Sequence, residues 1–448
     1  VIQDLLPLWL RQRIAGRPNL KAIARNAFWI YLDRGLRLAI SLGVGVWVAR
    51  YLGPGPYGTL QYALAFVSLF GDVAGLGLES VTVRELVRKP GEDGALLGTV
   101  MLLRTLGGLA AVLLCFGVLA LAHAPGDPAR PVAAIFSLLL LLQACDTLEF
   151  PFQAGLKANL VVKARFPSAL LGAAARVGLI LGGFGLLSFA WVGVAETALS
   201  TAGVMLAWRL VAAPRGGLRL DWGLGRRLLA ESWPLAFAGL AVLIYMKIDQ
   251  VMLEYMLGSR EVGVYAVAAK LSELWYFVPM ALAASAYPSI IEARKQSPQL
   301  YQERLQKLMD GVALVGWAIT LPLAFLAKPL VGLLYGPDYA ASAPILVLHV
   351  WGGLFVAQGL VLARWLTVEG ATRYYMLMTA AGAAVNVSLN LLLIPGLHGR
   401  GAAIATVVSY AVPGTLATLF HAKARPLFGM QMKALFYPRP LRRILQLW

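Results

Sequence analysis

Charge is scarce in this sequence: only 14% of its 448 residues are Asp, Glu, Lys or Arg, where soluble domains carry about 25%. Cysteine and histidine are scarcer still, at two and four residues. Cys115 and Cys145 both fall in apolar runs and read as small buried hydrophobes, so no disulfide framework is expected. His123, His349, His398 and His421 stand singly, at no ligand spacing, and no metal site is expected. There is no phosphate-cradling G-x4-GK[ST] loop, no H-E-x-x-H helix and no nucleophile elbow. No catalytic residue is therefore assigned, and no cofactor. The ten-residue alternation of a membrane β-barrel is absent too.

What is present is apolar: 59% of the chain, gathered in blocks of about 20 residues, the length a helix needs to cross about 30 Å of hydrocarbon. With barrels excluded, each block must satisfy its backbone internally as a helix. The expected fold is an all-α membrane protein of about twelve transmembrane helices in two six-helix bundles. The expected organisation is a basic amphipathic segment over 1–25, a first lobe over 26–210, a cytoplasmic linker over 211–229, a second lobe over 230–421 and a basic tail over 422–448. Residues 1–25 carry no small-residue cleavage site, and no cleavable signal peptide is read there.

The basic residues set the orientation. Only Arg50, Arg130, Arg260, Lys328 and Arg400 fall in odd-to-even connections. The N-terminal segment, the even-to-odd connections and the tail hold 28 of the 39 Lys and Arg, counting Arg209 and Arg364 at their span ends. Lys and Arg are retained on the cytoplasmic side during insertion, which predicts two cytoplasmic termini. The net charge of +17 is thereby explained without a nucleic-acid partner.

The halves repeat. Leu52-Gly53…Gly58 and Leu257-Gly258…Gly263 share LG-x4-G at an offset of 205, and Gly172-Ala173-Ala174 lines up with Gly382-Ala383-Ala384 at 210. Six spans per half give the two copies one orientation in the membrane, as parallel repeats.

An ionisable group within a span costs at least about 2.5–3.5 kcal/mol on insertion scales, so each is a candidate by default. The basic candidates are Arg34, Arg37, Arg104, Arg176, Lys247 and Lys270. The acidic ones are Asp33, Asp72, Asp146, Glu149, Glu196, Asp249 and Glu273. Arg34 and Arg37 share a helix face, and the fork of arginine suits phosphate. A cationic cavity for a phosphate-bearing substrate is the functional reading of Arg34, Arg37, Arg104, Arg176 and Lys247. The bland one is snorkelling or packing. Asp33, Asp72, Asp146, Glu196 and Asp249 are coupling or structural candidates. Asn386 and Asn390, four apart on one face, join them as polar glue or ligand. The fifth span is placed from about residue 166, which leaves Arg165 in the preceding loop.

Three segments carry a resemblance: YMKIDQVMLEYMLGSREVGVYAVAAKLSE (245–273), LLYGPDYAASAPIL (333–346) and NVSLNLLLIPGLHGRGAAIATVVSYA (386–411). With VARYLGPGPYGTLQYALAF (48–66) and GLGLESVTVRELVR (75–88), they resemble the polysaccharide-export flippases of the multidrug/oligosaccharidyl-lipid/polysaccharide exporter superfamily. The resemblance implies a V-shaped pair of six-helix bundles with alternating access. It implies a multi-pass protein of the bacterial cytoplasmic (inner) membrane that moves undecaprenyl-diphosphate-linked oligosaccharide units to the periplasmic leaflet for O-antigen-type polysaccharide. Lumenal arginines would hold the diphosphate, a role carried onto Arg34, Arg37, Arg104 and Arg176, and Asp249 matches a recurrent family acid. The implied partners are the lipid-linked substrate, the phospholipid bilayer and polysaccharide polymerase machinery, with H+ or Na+ as the coupling ion if there is one. The alternatives are a cation-coupled multidrug antiporter of the same fold, or a membrane polysaccharide polymerase or ligase. The first would need an acidic, apolar pocket and the second long outer loops.

Overall fold

The computed structural model describes residues 18–88, 93–213 and 216–437, the side chains of 18–25, 27–28, 31, 34, 41, 93 and 287–288 excepted. Most of the 1–25 segment, the Arg34 side chain and residues 438–448 thus lie outside the described residues.

Among the described residues every regular element is a helix. In order come α1 (Pro18–Leu52), α2 (Pro54–Ser68), α3 (Gly71–Gly75), α4 (Leu78–Arg88), α5 (Asp93–Ala122), α6 (Ala129–Leu142), α7 (Phe150–Ala154), α8 (Ala158–Leu181) and α9 (Leu186–Val211). There follow α10 (Trp222–Leu257), α11 (Ser259–Glu273), α12 (Phe277–Gln296), α13 (Pro298–Phe325), α14 (Ala327–Tyr335), α15 (Ser342–His349), α16 (Gly352–Val368), α17 (Thr372–Leu397), α18 (Gly399–Gly414) and α19 (Arg425–Phe436). Among the described residues, twelve stretches, from Gly35–Leu52 to Gly399–Phe420, are long and apolar enough to span a membrane, as expected from the sequence.

Several spans are broken. The second splits between α2 and α3, the fourth runs through a 3-10 segment at Gln143–Glu149, and the eighth and tenth break after α11 and α15. At the fourth the cause is local. Pro151 has no N–H to give and crowds the carbonyl four residues back, on Thr147, so the α-ladder yields there to a tighter winding.

The structure carries the internal repeat. α2 and α11 are each 15 residues long, and both their starts (54 and 259) and their ends (68 and 273) lie 205 apart. Each follows a glycine with positive φ, Gly53 at 71° and Gly258 at 90°. A methyl on Gly58 would overlap the Ser259 carbonyl oxygen, and one on Gly263 the Pro54 carbonyl oxygen. Ser259 and Pro54 are themselves 205 apart, so the two copies of the motif cross each other with reciprocal contacts. Thr59 Oγ1 donates to Ser259 Oγ at 3.1 Å beside the crossing.

The helices gather into two compact units, residues 1–51 with 70–236 and residues 52–69 with 237–448. This distribution differs from the expected lobes over two segments. Residues 52–69 belong to the second unit because the glycine crossing binds α2 to α11. The start of α10 belongs to the first. There Gly77 lies against the backbone of Ser232 and Ala236, Arg84 pairs with Glu231 at 2.5 Å, and the Asp221 N–H donates to Thr99 at 2.9 Å. Hydropathy does not register close backbone approach, so a boundary drawn from it falls in the 211–229 linker instead.

The expected tail is corrected in its described part. Residues 425–436 form α19, which packs on α13 with Leu427, Gln431, Ala434 and Leu435 buried. Gln306 Nε2 donates to the Met430 carbonyl at 3.0 Å, Trp317 Nε1 to that of Leu435 at 2.9 Å, and Gln431 Nε2 to that of Gly414 at 2.8 Å.

Candidate functional site

Each unit holds its own polar cluster, partly exposed in the first unit and buried in the second. In the first unit, four segments deliver the charges: α1 brings Asp33 and Arg37, α5 brings Arg104, the 3-10 run brings Asp146 and Glu149, and α8 brings Arg165. The start of α8 is fixed from α1, where Asn26 Oδ1 accepts the Ala158 N–H at 2.7 Å.

Arg37 Nε donates to both Asp33 oxygens at 3.0 Å. Arg104 is 4% exposed; its Nη1 reaches Thr147 Oγ1 at 3.4 Å and its guanidinium lies 5.3 Å from the centroid of the Phe150 ring, a cation–π placement. Arg165 Nη2 pairs with Glu149 and lies 3.6 Å from Asp146 Oδ1. They are close enough to share one field: Asp146 and Glu79 are the carboxylates near Arg104, and Asp146, Arg37 and Asp33 are the charges near Arg165. Three buried nitrogens in the group, Arg37 Nη2, Arg104 Nε and Arg165 Nε, have no hydrogen-bond partner. A buried donor left unmade costs about 1–3 kcal/mol, more when charged, so the group is built with donors to spare.

The second unit centres on Asp249, which is 1% exposed. Its carboxylate accepts from the Tyr265 hydroxyl, from Thr406 Oγ1 at 3.2 Å and from the Gln250 N–H at 2.8 Å. All three donors are neutral. Lys247, two residues away, has its ammonium 3.3 Å from Glu273. Alongside, Asn390 Nδ2 donates to Asn386 Oδ1 at 2.9 Å and Asn386 Nδ2 to Ser409 Oγ at 3.0 Å, all three residues being buried. His349 Nδ1 meets Ser272 Oγ at 2.9 Å.

The expected site residues therefore divide. Arg37, Arg104, Asp33 and Asp146 share the first cluster; Lys247, Asp249, Asn386 and Asn390 stand in the second unit. Arg176 lies outside both, paired with Glu196 at 2.6 Å between α8 and α9, which makes those two candidates one helix-to-helix ion pair. Asp72 sits half-buried in the first turn of α3. Arg165 is the member that sequence reading missed. It lies about two turns inside α8, whose start at Ala158 precedes the expected span by several residues. The signal was present in Lys157-Ala158-Asn159, where a polar turn opens the helix. Tyr265 and Thr406 were missed because uncharged side chains in a span draw no attention.

Comparison with known proteins adds the following. A family model described as "Polysaccharide biosynthesis protein" matches residues 47–344. The capsular polysaccharide biosynthesis protein CapF of Staphylococcus aureus is 22% identical over 40% of this chain and 46% of its own length. The probable low-salt glycan biosynthesis flippase Agl15 of Haloferax volcanii is 21% identical over 49% of this chain and 46% of its own. The chain thus spans less than half the length of these curated relatives. Among solved structures, an inward-facing multidrug resistance MATE family transporter superposes with a TM-score of 0.72, covering 89% of this chain and 96% of its own. The lipid II flippase MurJ in its inward closed conformation gives 0.71, covering 94% and 95%. Both are 14% identical and speak to the fold alone.

Proposed function

Because the chain belongs to the polysaccharide biosynthesis protein family, whose model covers most of it, we propose that it is a flippase for a lipid-linked oligosaccharide, and no enzyme. The observation that carries the reading is the first-unit cluster of Arg37, Arg104 and Arg165 with its unpartnered buried N–H groups. A diphosphate presents several acceptor oxygens and takes arginine bidentately. Sugars and phosphate cannot cross hydrocarbon unaided, whereas a polyprenyl tail can remain in lipid, so only the head needs a protein site.

In its finer form the proposal is an undecaprenyl-diphosphate carrier in a bacterial inner membrane, moving its substrate outward by alternating access, with both termini cytoplasmic. Arg34 is part of that proposal by its place one turn from Arg37. Coupling to H+ or Na+ is proposed at Asp249, a buried carboxylate held by neutral donors. The polymerase or ligase alternative is the weaker reading: the hydroxyls that do lie beside a base, Ser272 on His349 and Tyr265 and Thr406 on Asp249, are all fully buried among the helices of the second unit.

Gene deletion with complementation tests the reading. Undecaprenyl-linked repeat units should accumulate on the cytoplasmic leaflet, and Arg104→Gln with Arg165→Gln should cut export at least about tenfold, some 1.4 kcal/mol, at unchanged membrane abundance. Intact surface polysaccharide together with raised drug sensitivity would instead favour the antiporter.

A further inference from the structure

Among the described side chains, the first-unit cluster carries no excess of positive charge. Among the described residues its positive charges are Arg37, Arg104 and Arg165, and the carboxylates acting on them are Asp33, Glu79, Asp146 and Glu149. Four negative charges against three positive would repel a diphosphate if every ion pair stayed in place. The pairs must therefore rearrange for an anion to enter.

Resting on the flippase reading, we propose that Asp146 and Glu149 are stand-in anions: they hold Arg165 while the site is empty, and a phosphate group displaces them. Three features single out this pair. Both carboxylates converge on one nitrogen, Arg165 Nη2, which leaves Nε buried and unpartnered; a bidentate phosphate would use both edges of the fork. They stand three apart on the 3-10 run, where side chains at i and i+3 eclipse and face one way. Arg104, by contrast, is steadied by Thr147 and the Phe150 ring, so it can stay in place while its neighbour changes partner. Asp33 is also distinct, because it grips Arg37 with both oxygens from the same helix.

The exchange has a use. An arginine cluster lacking counter-ions would carry the desolvation cost of Arg104 and of its partly buried neighbours and would hold a diphosphate too tightly to release it. Carboxylates that return to Arg165 lower the affinity and speed release. Asp146 and Glu149 are thus positioning residues that act through Arg165.

The test uses the full chain in nanodiscs, titrated with farnesyl diphosphate and, as a control, farnesol. Wild type should bind the diphosphate, and Arg165→Gln should bind it about tenfold more weakly. Asp146→Asn and Glu149→Gln should each bind it about tenfold more tightly, with slower export and no change toward farnesol. The native Cys145 thiol, a neighbour of Arg104, supplies a second readout: its alkylation should be protected at lower diphosphate concentration in the two carboxamide variants. If Glu149→Gln does not reach the membrane, Asp146→Asn, which alters the longer contact, still decides. Carboxamide variants that bind equally or more weakly while Arg165→Gln loses binding would overturn the exchange and leave the flippase reading standing. Absent binding in wild type, or an indifferent Arg165→Gln, would overturn both.

Discussion

At the scale of single residues, the turn between α5 and α6 shows how a charge outside the spans contributes. His123 Nδ1 lies 2.5 Å from Asp127 Oδ2, and Asp127 Oδ1 accepts the Ala129 N–H at 2.8 Å. Partial burial pushes the Asp127 carboxyl up, but the Ala129 N–H and His123 outweigh it and hold the carboxyl below its ordinary value. A carboxylate whose native pKa is depressed contributes stability that is present above the unfolded pKa, near 3.9, and is lost as pH falls through the native value. Asp127→Asn should therefore cost about 1 kcal/mol at pH 7, read as a lower melting temperature in nanodiscs. The gap to wild type should close in strongly acidic buffer, and one that persisted there would remove the electrostatic account. The same scale sets what could be read from the sequence alone. Arg37, Arg104 and Asp249 are conspicuous as charges in apolar runs. Their partners are not: Tyr265 and Thr406 reach Asp249 from 16 and 157 residues away, and no local pattern records that.

At the scale of helices, the LG-x4-G motif was legible as a repeat, but not as a contact between its own two copies. α2 and α11 approach closely because Gly58 faces the Ser259 carbonyl and Gly263 the Pro54 carbonyl. Small residues let transmembrane backbones come together without help from the hydrophobic effect, and here the obstructing atoms are backbone, which cannot swing aside as a side chain would. Gly58→Ala and Gly263→Ala should each destabilise the second unit by about 1–3 kcal/mol, and the pair by more than either. Gly117→Ala is the control: it sits mid-helix in α5 with nothing within 4 Å of the added methyl, and replacing helical glycine by alanine gains up to about 1 kcal/mol. Thermal aggregation of the three variants in detergent separates the cases, and equal melting across them would mean that the crossing bears no load. α19 teaches a related point. Its buried face, Leu427, Gln431, Ala434 and Leu435, follows helical spacing, yet the basic residues around it made the segment read as tail.

At the scale of the whole molecule, the asymmetry of charge is the strongest topological signal in the chain. Five Lys or Arg in the odd-to-even connections, against 28 in the N-terminal segment, the even-to-odd connections and the tail, is an imbalance to which each residue would add about 1 kcal/mol at an anionic surface. On this reading the twelve apolar stretches among the described residues, each crossing once, return the chain to the side on which it began. Ala124 and Lys328 lie exposed in connections assigned to the outside, and Ala213 and Lys295 are exposed at ends assigned to the cytoplasm. In a Cys115→Ala, Cys145→Ser background, cysteines placed one at a time at these four positions give a direct reading. Those at 124 and 328 should react with a membrane-impermeant maleimide in intact cells, and those at 213 and 295 only after permeabilisation. The inverse pattern would overturn the orientation, and with it the outward direction of transport. A mixed pattern, with 124 and 328 on opposite sides, would require an odd number of crossings between them. That would break the six-and-six repeat, because the 205-residue offset joining α2 to α11 places equivalent helices at equal depth only when an even number of spans separates them.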